Sequence, residues 1–398
     1  MKKRFFTVLT ALLVCAIGLA LGEALIEKKG TGITVISPAE WESQFPNEYA
    51  TYQANSENSE VVEYTEEYPF IRIVYEGYGF AKYYGSARGH YYTVSDLQAT
   101  GRPHALANCF TCKTADFTVM TLNDGDSAYS IPFEEIDASN FESMGCFTCH
   151  GNTPGQQITV THTYLADAMG EDFASVKQEN LACGQCHVEY YFAPDGKATS
   201  LPYTNLASMT PDAMYDFYEQ MGFSDYTNPR TGVQMLKTQH PEMETFLGAG
   251  SKHASMFTCA DCHMEKLTDE AGNAYLNHKF VSPLESEIIQ ASCVNCHADL
   301  TGFVHGIQEK MEERTIAIGE KLAGLTDRLA EVVAAGTYTD EQLADIRALN
   351  RKGQWYWDFV FVENSEGAHN STLDNQCLDK AEAFIDAALL SLDALEDV

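Results

Sequence analysis

The sequence predicts a mainly α fold, compact and closed by long C-terminal helices. Three observations carry this. Apolar side chains recur at three-to-four-residue steps through the last hundred residues, short helical pieces surround paired cysteines in the middle, and no block reads as β-rich. Residues 51–67 are polar and acidic and are expected as a surface loop or extended segment. From 68 to about 298 the chain is rich in Gly, Tyr and Phe, and its cysteine motifs are too unevenly spaced for a solenoid array. Over 303–335, Ile307, Met311, Ile318, Leu322, Leu325, Leu329 and Val332 mark a long amphipathic helix. Thr339 and Gln342 form a capping box that opens a second helix to about residue 351. Residues 373–396, with Leu373, Phe384, Leu389, Leu392 and Leu395, make a third.

Composition narrows the function. The 398 residues include 25 basic and 57 acidic side chains, a formal charge of -32. Nucleic-acid binding and adhesion to anionic lipid both need a basic face, so both are disfavoured. With 45% apolar and 11% aromatic residues the chain can bury a large core and is not disordered.

Twelve cysteines lie at 15, 109, 112, 146, 149, 183, 186, 259, 262, 293, 296 and 377. Ten form C-x-x-C pairs, and in four the next residue is histidine: Cys146-Cys149-His150, Cys183-Cys186-His187, Cys259-Cys262-His263 and Cys293-Cys296-His297. C-x-x-C-H is the c-type haem attachment motif, in which two thiols bond the porphyrin and the adjacent imidazole reaches the iron. Structural zinc would leave one pair over and four histidines unexplained. Thioredoxin-type pairs come once per domain, and disulfide frameworks belong to smaller secreted domains. The core of the mainly α body is therefore expected to be filled largely by haem.

The N-terminus agrees with that chemistry. Lys2, Lys3 and Arg4 precede an uncharged apolar run from Phe5 to Leu21, ending in the small-residue site Ala20-Leu21-Gly22. Residues 1–22 are expected as an export signal or an uncleaved membrane anchor. Removing them takes away three basic and no acidic residues, moving the charge from -32 to -35. Either way the bulk, residues 23–398, is expected outside the cytoplasm as one catalytic domain, with 303–398 its long-helix part.

The fifth pair, Cys109-Phe110-Thr111-Cys112-Lys113, carries lysine where the others carry histidine. An amine binds iron only when neutral, so this motif marks a haem unlike the rest, with a far side open to substrate. The four remaining irons, if six-coordinate, need distal ligands from a pool of His90, His104, His162, His240, His253, His278, His305 and His369. Spacing alone assigns none of them. Four wired haems plus one open haem describe a multi-electron reductase.

From about Trp41 to Leu373 the chain resembles the ammonia-forming cytochrome c nitrite reductase family of pentahaem enzymes. One C-x-x-C-K followed by four C-x-x-C-H motifs carries the resemblance. So do Gly77-Tyr78-Gly79-Phe80 with Arg88-Gly89-His90, Cys186-His187-Val188-Glu189-Tyr190-Tyr191-Phe192, Lys237-Thr238-Gln239-His240-Pro241-Glu242, and Asn364-Ser365-Glu366-Gly367-Ala368-His369-Asn370. The resemblance implies six-electron reduction of nitrite to ammonium, five covalent haems and one Ca2+. It implies His90 as distal ligand of the Cys183/Cys186 haem, His278 of the Cys146/Cys149 haem, His253 of the Cys293/Cys296 haem and His369 of the Cys259/Cys262 haem. Substrate would sit at the Lys113 haem under Arg102, Tyr190 and His240. Calcium would take the Glu189 carboxylate, the Gln239 amide oxygen and the carbonyls of Tyr190 and Lys237. Arg88 competes with Arg102, because Arg102 lies only seven residues before Cys109.

The chemistry suits these residue types. Nitrite's oxygens must accept protons to leave as water, and a guanidinium and an imidazole supply charge and hydrogen bonds there. Calcium takes oxygen ligands and adds positive potential for an anionic substrate. Family partners would be a membrane quinol-oxidising multihaem cytochrome as electron donor and a second copy of the chain. The apolar stripes of the C-terminal helices also suggest a homodimer. Hydroxylamine and sulfite are related substrates.

Overall fold

The structure, a computed structural model, describes residues 32–79, 88–102, 104–156 and 158–396. The expected export segment and Phe80 lie outside the described residues. Eleven helices matter for the argument: α1 (Pro46–Gln53), α2 (Ala115–Asp124), α3 (Cys146–His150), α4 (Gln178–Gly184), α5 (Pro211–Met221), α6 (Glu242–Leu247), α7 (Cys259–His263), α8 (Glu287–Cys293), α9 (Leu300–Ala335), α10 (Asp340–Phe361) and α11 (Ser371–Glu396). Three antiparallel two-stranded hairpins complete the picture: β1 (Tyr191–Phe192) with β2 (Thr199–Ser200), β3 (Tyr226–Thr227) with β4 (Gln234–Met235), and β5 (Lys266–Thr268) with β6 (Ala274–Leu276). The mainly α expectation holds.

Local chemistry starts and stops these helices. Thr339 and Gln342 form the expected reciprocal capping box on α10, and Thr258 and Asp261 form another on α7. Thr210 caps α5 ahead of Pro211, and Gly222 ends it at φ 61°, a left-handed conformation glycine adopts freely.

Three expectations change. Residues 51–53 close helix α1, 54–57 form a 3₁₀ turn and 64–67 a single α-turn, so only the middle of 51–67 is extended. Asn55 explains part of this: it is buried, and its amide donates to the carbonyls of Tyr52 and His278. Helix α10 runs ten residues beyond 351. Trp355, Tyr356, Trp357, Phe359 and Val360 are all buried there, as is Asp358, and a helix buried all round shows no amphipathic period to read. The indole N–H groups of Trp355 and Trp357 donate to the carbonyls of Pro211 and Thr315, both at 2.9 Å. Finally, the apolar stripes of α9 and α11 are consumed within the chain. Ile318, Leu322, Leu325, Leu329, Leu378, Ile385 and Leu392 are sealed in one cluster with α10. Leu390 and Phe303 remain as large exposed apolar residues on these helices.

Helices α9 and α11 run parallel, with α10 returning between them. Arg314, Lys321 and Arg328 on α9, seven residues apart, pair with Asp379, Asp386 and Asp393 on α11 at the same interval. A seven-residue repeat on both partners is the mark of shallow-angle helix packing. Among the described residues, no helix is long and apolar enough to cross a membrane.

Candidate active site

Each attachment motif uses one turn of helix to present its ligands. In α3 and α7 the two cysteines and the histidine stand at i, i+3 and i+4, so two thiols and an imidazole share one face. The turns after α4 and α8 do the same: His187 N–H donates to the Cys183 carbonyl and His297 N–H to the Cys293 carbonyl, both at 3.0 Å. The lysine motif differs. It begins inside a 3₁₀ turn, Ala107–Phe110, and Lys113 N–H donates to the Phe110 carbonyl at 2.9 Å. His162 secures this segment, its Nε2 2.8 Å from the Thr111 carbonyl and its Nδ1 2.8 Å from Gln185 Oε1. His162 is thus a structural residue, while His104 and His305 are exposed.

The described cysteines are thiols without disulfides. The motifs adjoin in a fixed order. Cys112 interacts with Cys186, Cys186 with Cys149, Cys183 with Cys259, and Cys262 with Cys293. The Cys183/Cys186 motif is therefore a hub, near the motifs of Lys113 and His263 and joined to that of His150 by Gln185, whose Nε2 donates to the Thr148 carbonyl at 2.8 Å, with the His297 motif beyond that of His263. Gly184 is needed at this hub, because a Cβ there would meet Met243 Sδ at 2.0 Å.

The histidines come together across the chain. Ring centroids lie 6.2 Å apart for His90 and His187, 6.4 Å for His150 and His278, 6.1 Å for His253 and His297, and 6.2 Å for His263 and His369. An imidazole nitrogen bonds a metal at about 2 Å, so two rings facing across one iron have centroids about 6 Å apart. The residues present thus fit bis-histidine haem. His187 is also 6.2 Å from His240. There the ring edge decides: both Nδ1 atoms face Glu242, at 3.6 Å and 4.0 Å, whereas a haem-bound imidazole of this motif meets iron through Nε2. Both rings thus turn their Nδ1 edges to Glu242, which leaves Nε2 as the free nitrogen of each.

Arg102, Tyr190 and His240 gather at the remaining motif. Arg102 is half-buried beside Cys109, Tyr78 and Tyr190. Burial, with Cys112, Tyr78 and Cys109 nearby, drives the Tyr190 phenol well above its usual pKa, keeping it a hydrogen-bond donor. Burial pushes the His240 pKa down to about 4, and the charges of Lys113, His187 and Lys237 act in the same direction against Glu242. Arg88 is engaged elsewhere: it pairs with Asp96 and stacks 4.0 Å over the Tyr92 ring. Sequence reasoning did not place Tyr78 or Glu242 at this site, although both lie inside stretches that carried the resemblance.

The calcium residues also converge. The Glu189 carboxylate, 1% exposed, accepts from the Gln239 amide N–H at 2.6 Å and the Tyr218 hydroxyl at 2.8 Å. The Gln239 side-chain amide lies 2.9 Å from the Lys237 carbonyl. Burial, with Asp225 and Glu244 adding repulsion, drives Glu189 well above the ordinary carboxylate range. Burial also raises Asp225 to about 7 and Glu244 to about 8. The buried Glu189 carboxylate, beside carbonyl and amide oxygens and with buried Glu244 and half-buried Asp225 nearby, fits a hard cation. Lys237 Nζ is turned to Asp358 at 2.9 Å, so its charge answers a different carboxylate. Among the described residues no three His, Cys, Asp or Glu side chains form a metal cluster; a carbonyl-rich calcium site and two-ring haem ligation need none.

Paired thiols, opposed imidazoles and a haem-scale hub define a multihaem c-type cytochrome. Comparison narrows this: residues 37–396 match the cytochrome c552 family, and the chain belongs to it. Among solved structures it is similar to the catalytic subunit of cytochrome c nitrite reductase from Desulfovibrio desulfuricans ATCC 27774, a protein described with two calcium sites. The identity is 26%, covering 90% of this chain and 87% of that one, with a TM-score of 0.77. An outer cell wall cytochrome (18% identity, 75% and 48% coverage, TM-score 0.41) and an undecahaem S-layer cytochrome of Carboxydothermus ferrireducens (19%, 77% and 41%, TM-score 0.38) are remoter.

Proposed function

We propose that this chain reduces nitrite to ammonium in six electrons at the Cys109/Cys112/Lys113 haem, fed by four bis-histidine haems. The observation that carries the reading is the gathering of Arg102, Tyr190 and His240 at the one motif that ends in lysine. Haem, when bound, supplies the metal for substrate and the path for electrons. Arg102 would hold the anion by charge-assisted hydrogen bonds and draw negative charge onto its oxygens. His240 would hydrogen-bond the same oxygens and pass protons to them, and Tyr190 would donate to the less charged later species. Lys113 would hold the iron of this haem through its neutral amine. Glu189, Tyr190, Lys237 and Gln239 would hold one calcium, whose charge offsets the acidic surface near the pocket.

The same reading assigns five covalent haems, an exported enzyme outside the cytoplasm, a membrane quinol-oxidising cytochrome as donor, and a homodimer through the long helices. Hydroxylamine and sulfite are proposed as secondary substrates. With a reduced viologen as donor, the purified protein should form ammonium from nitrite; none formed with all five haems present would sink the proposal. His240→Ala should lower nitrite turnover by about 10²- to 10⁴-fold with the haem spectrum intact. Loss of haem in that variant would make His240 a ligand or structural residue instead.

A further inference from the structure

Glu242 stands between the substrate side and the hub of the haem relay, with no role assigned to it so far. It follows Pro241 in the first turn of α6 and is 7% exposed. Its Oε1 accepts from the Asn364 amide and lies 4.0 Å from His240 Nδ1; its Oε2 lies 3.6 Å from His187 Nδ1. Two of these atoms, Glu242 Oε2 and His240 Nδ1, are buried without a hydrogen-bond partner. Buried polar groups are nearly always paired, so an orphan oxygen 3.6 Å from His187 Nδ1 and an orphan ring nitrogen 4.0 Å from the other oxygen of the same carboxylate need an explanation. The other axial rings contrast with this. His263 Nδ1 lies 3.1 Å from the Val281 carbonyl and His278 Nδ1 2.9 Å from the Leu276 carbonyl. Glu363, 2.5 Å from His369 Nδ1, is a second carboxylate, but it serves one ring.

We propose that Glu242 is a positioning residue whose carboxylate accepts the Nδ1–H of His240 on one oxygen and that of His187 on the other. Holding Nδ1–H of His240 turns its Nε2 to the substrate and fixes the ring's tautomer. Holding Nδ1–H of His187 makes the proximal imidazole of the Cys183/Cys186 haem a stronger donor, as outer-shell carboxylates do for metal-bound histidines. One side chain thereby orders the group that meets substrate and lowers the potential of the haem that adjoins it. The assignment to turnover rests on the proposed nitrite reduction; the assignment to the haem does not.

Glu242→Gln preserves shape and removes the charge. The variant, loaded with five haems, should lose about 10- to 100-fold in kcat for nitrite with KM little changed. In a potentiometric titration followed by magnetic resonance, the potential of the Cys183/Cys186 haem should rise while those of the other haems stay in place. Glu363→Gln is the control, and should move the Cys259/Cys262 haem instead. Unchanged kcat and unchanged potential in loaded Glu242→Gln would overturn the proposal. If that variant fails to load haem, Asn364→Ala, which keeps the carboxylate but removes its anchor, must show both changes in smaller measure; no change there is equally fatal. Should the wild type make no ammonium, the function falls, and the potential shift alone decides for or against Glu242.

Discussion

In the C-terminal bundle Leu322, Leu325, Leu329, Leu378 and Ile385 are wholly enclosed in an apolar cluster that α9, α10 and α11 share with residues such as Ile71, Val74 and Met214. In the body from 88 to 298 the motif residues are different: most attachment cysteines are half-buried, Cys296 is exposed, and His187 and His240 keep 42% and 43% of their side-chain surface accessible. One region is closed by apolar side chains packed on one another; the other presents paired thiols and opposed imidazoles that fit a planar group. Apolar packing explains stability in the first, and ligation explains it in the second.

The comparison can be broken most sharply in the bundle. Leu325→Ala should cost about 2–5 kcal/mol of stability, as a fully buried leucine deletion does. Nitrite turnover and haem potentials at room temperature should be unchanged, since no motif residue packs there. A shifted haem potential in that variant would mean that the two regions are not independent.

A second test lies in the body. The native pKa values of Asp225, at about 7, and Glu244, at about 8, are raised above their unfolded values, and Glu189 is raised as well. Without a cation the native state then binds more protons than the unfolded one, so stability falls as pH rises from about 4 to 8. Chelator-treated protein should therefore melt lower at pH 8 than at pH 6, and calcium should restore most of the loss at pH 8. A melting temperature indifferent to calcium at pH 8 would remove the cation from this cluster.

The smallest effect belongs to the ion-pair ladder. Arg314, Lys321 and Arg328 and their partners are partly exposed. Each substitution to Ala should cost no more than about 1 kcal/mol, and less at high salt. A larger, salt-independent loss in thermal melts would show that the ladder sets the parallel register of α9 and α11.

Legibility followed the range of the interactions. The haem motifs were readable because two thiols and a ligand must share one helical turn, and that constraint is written in five consecutive residues. Helix α9 was readable because one face meets the core and the other meets water. The end of α10 was not, because Trp355, Tyr356 and Trp357 are buried on every side and leave no period. Segment 51–67 misled for the opposite reason: its polar residues include Asn55, buried against His278 more than two hundred residues away.

By itself, then, the sequence determined the cofactor chemistry, the odd lysine and the three long helices, since each depends on neighbours within a turn or two. Only the tertiary structure decided which imidazole faces which, that the Cys183/Cys186 motif is the hub, that Arg102 rather than Arg88 lies by Tyr190, and that Glu242 stands between His187 and His240. Those are contacts between residues tens to hundreds of positions apart. Spacing along a chain carries no information about them until packing brings the segments together.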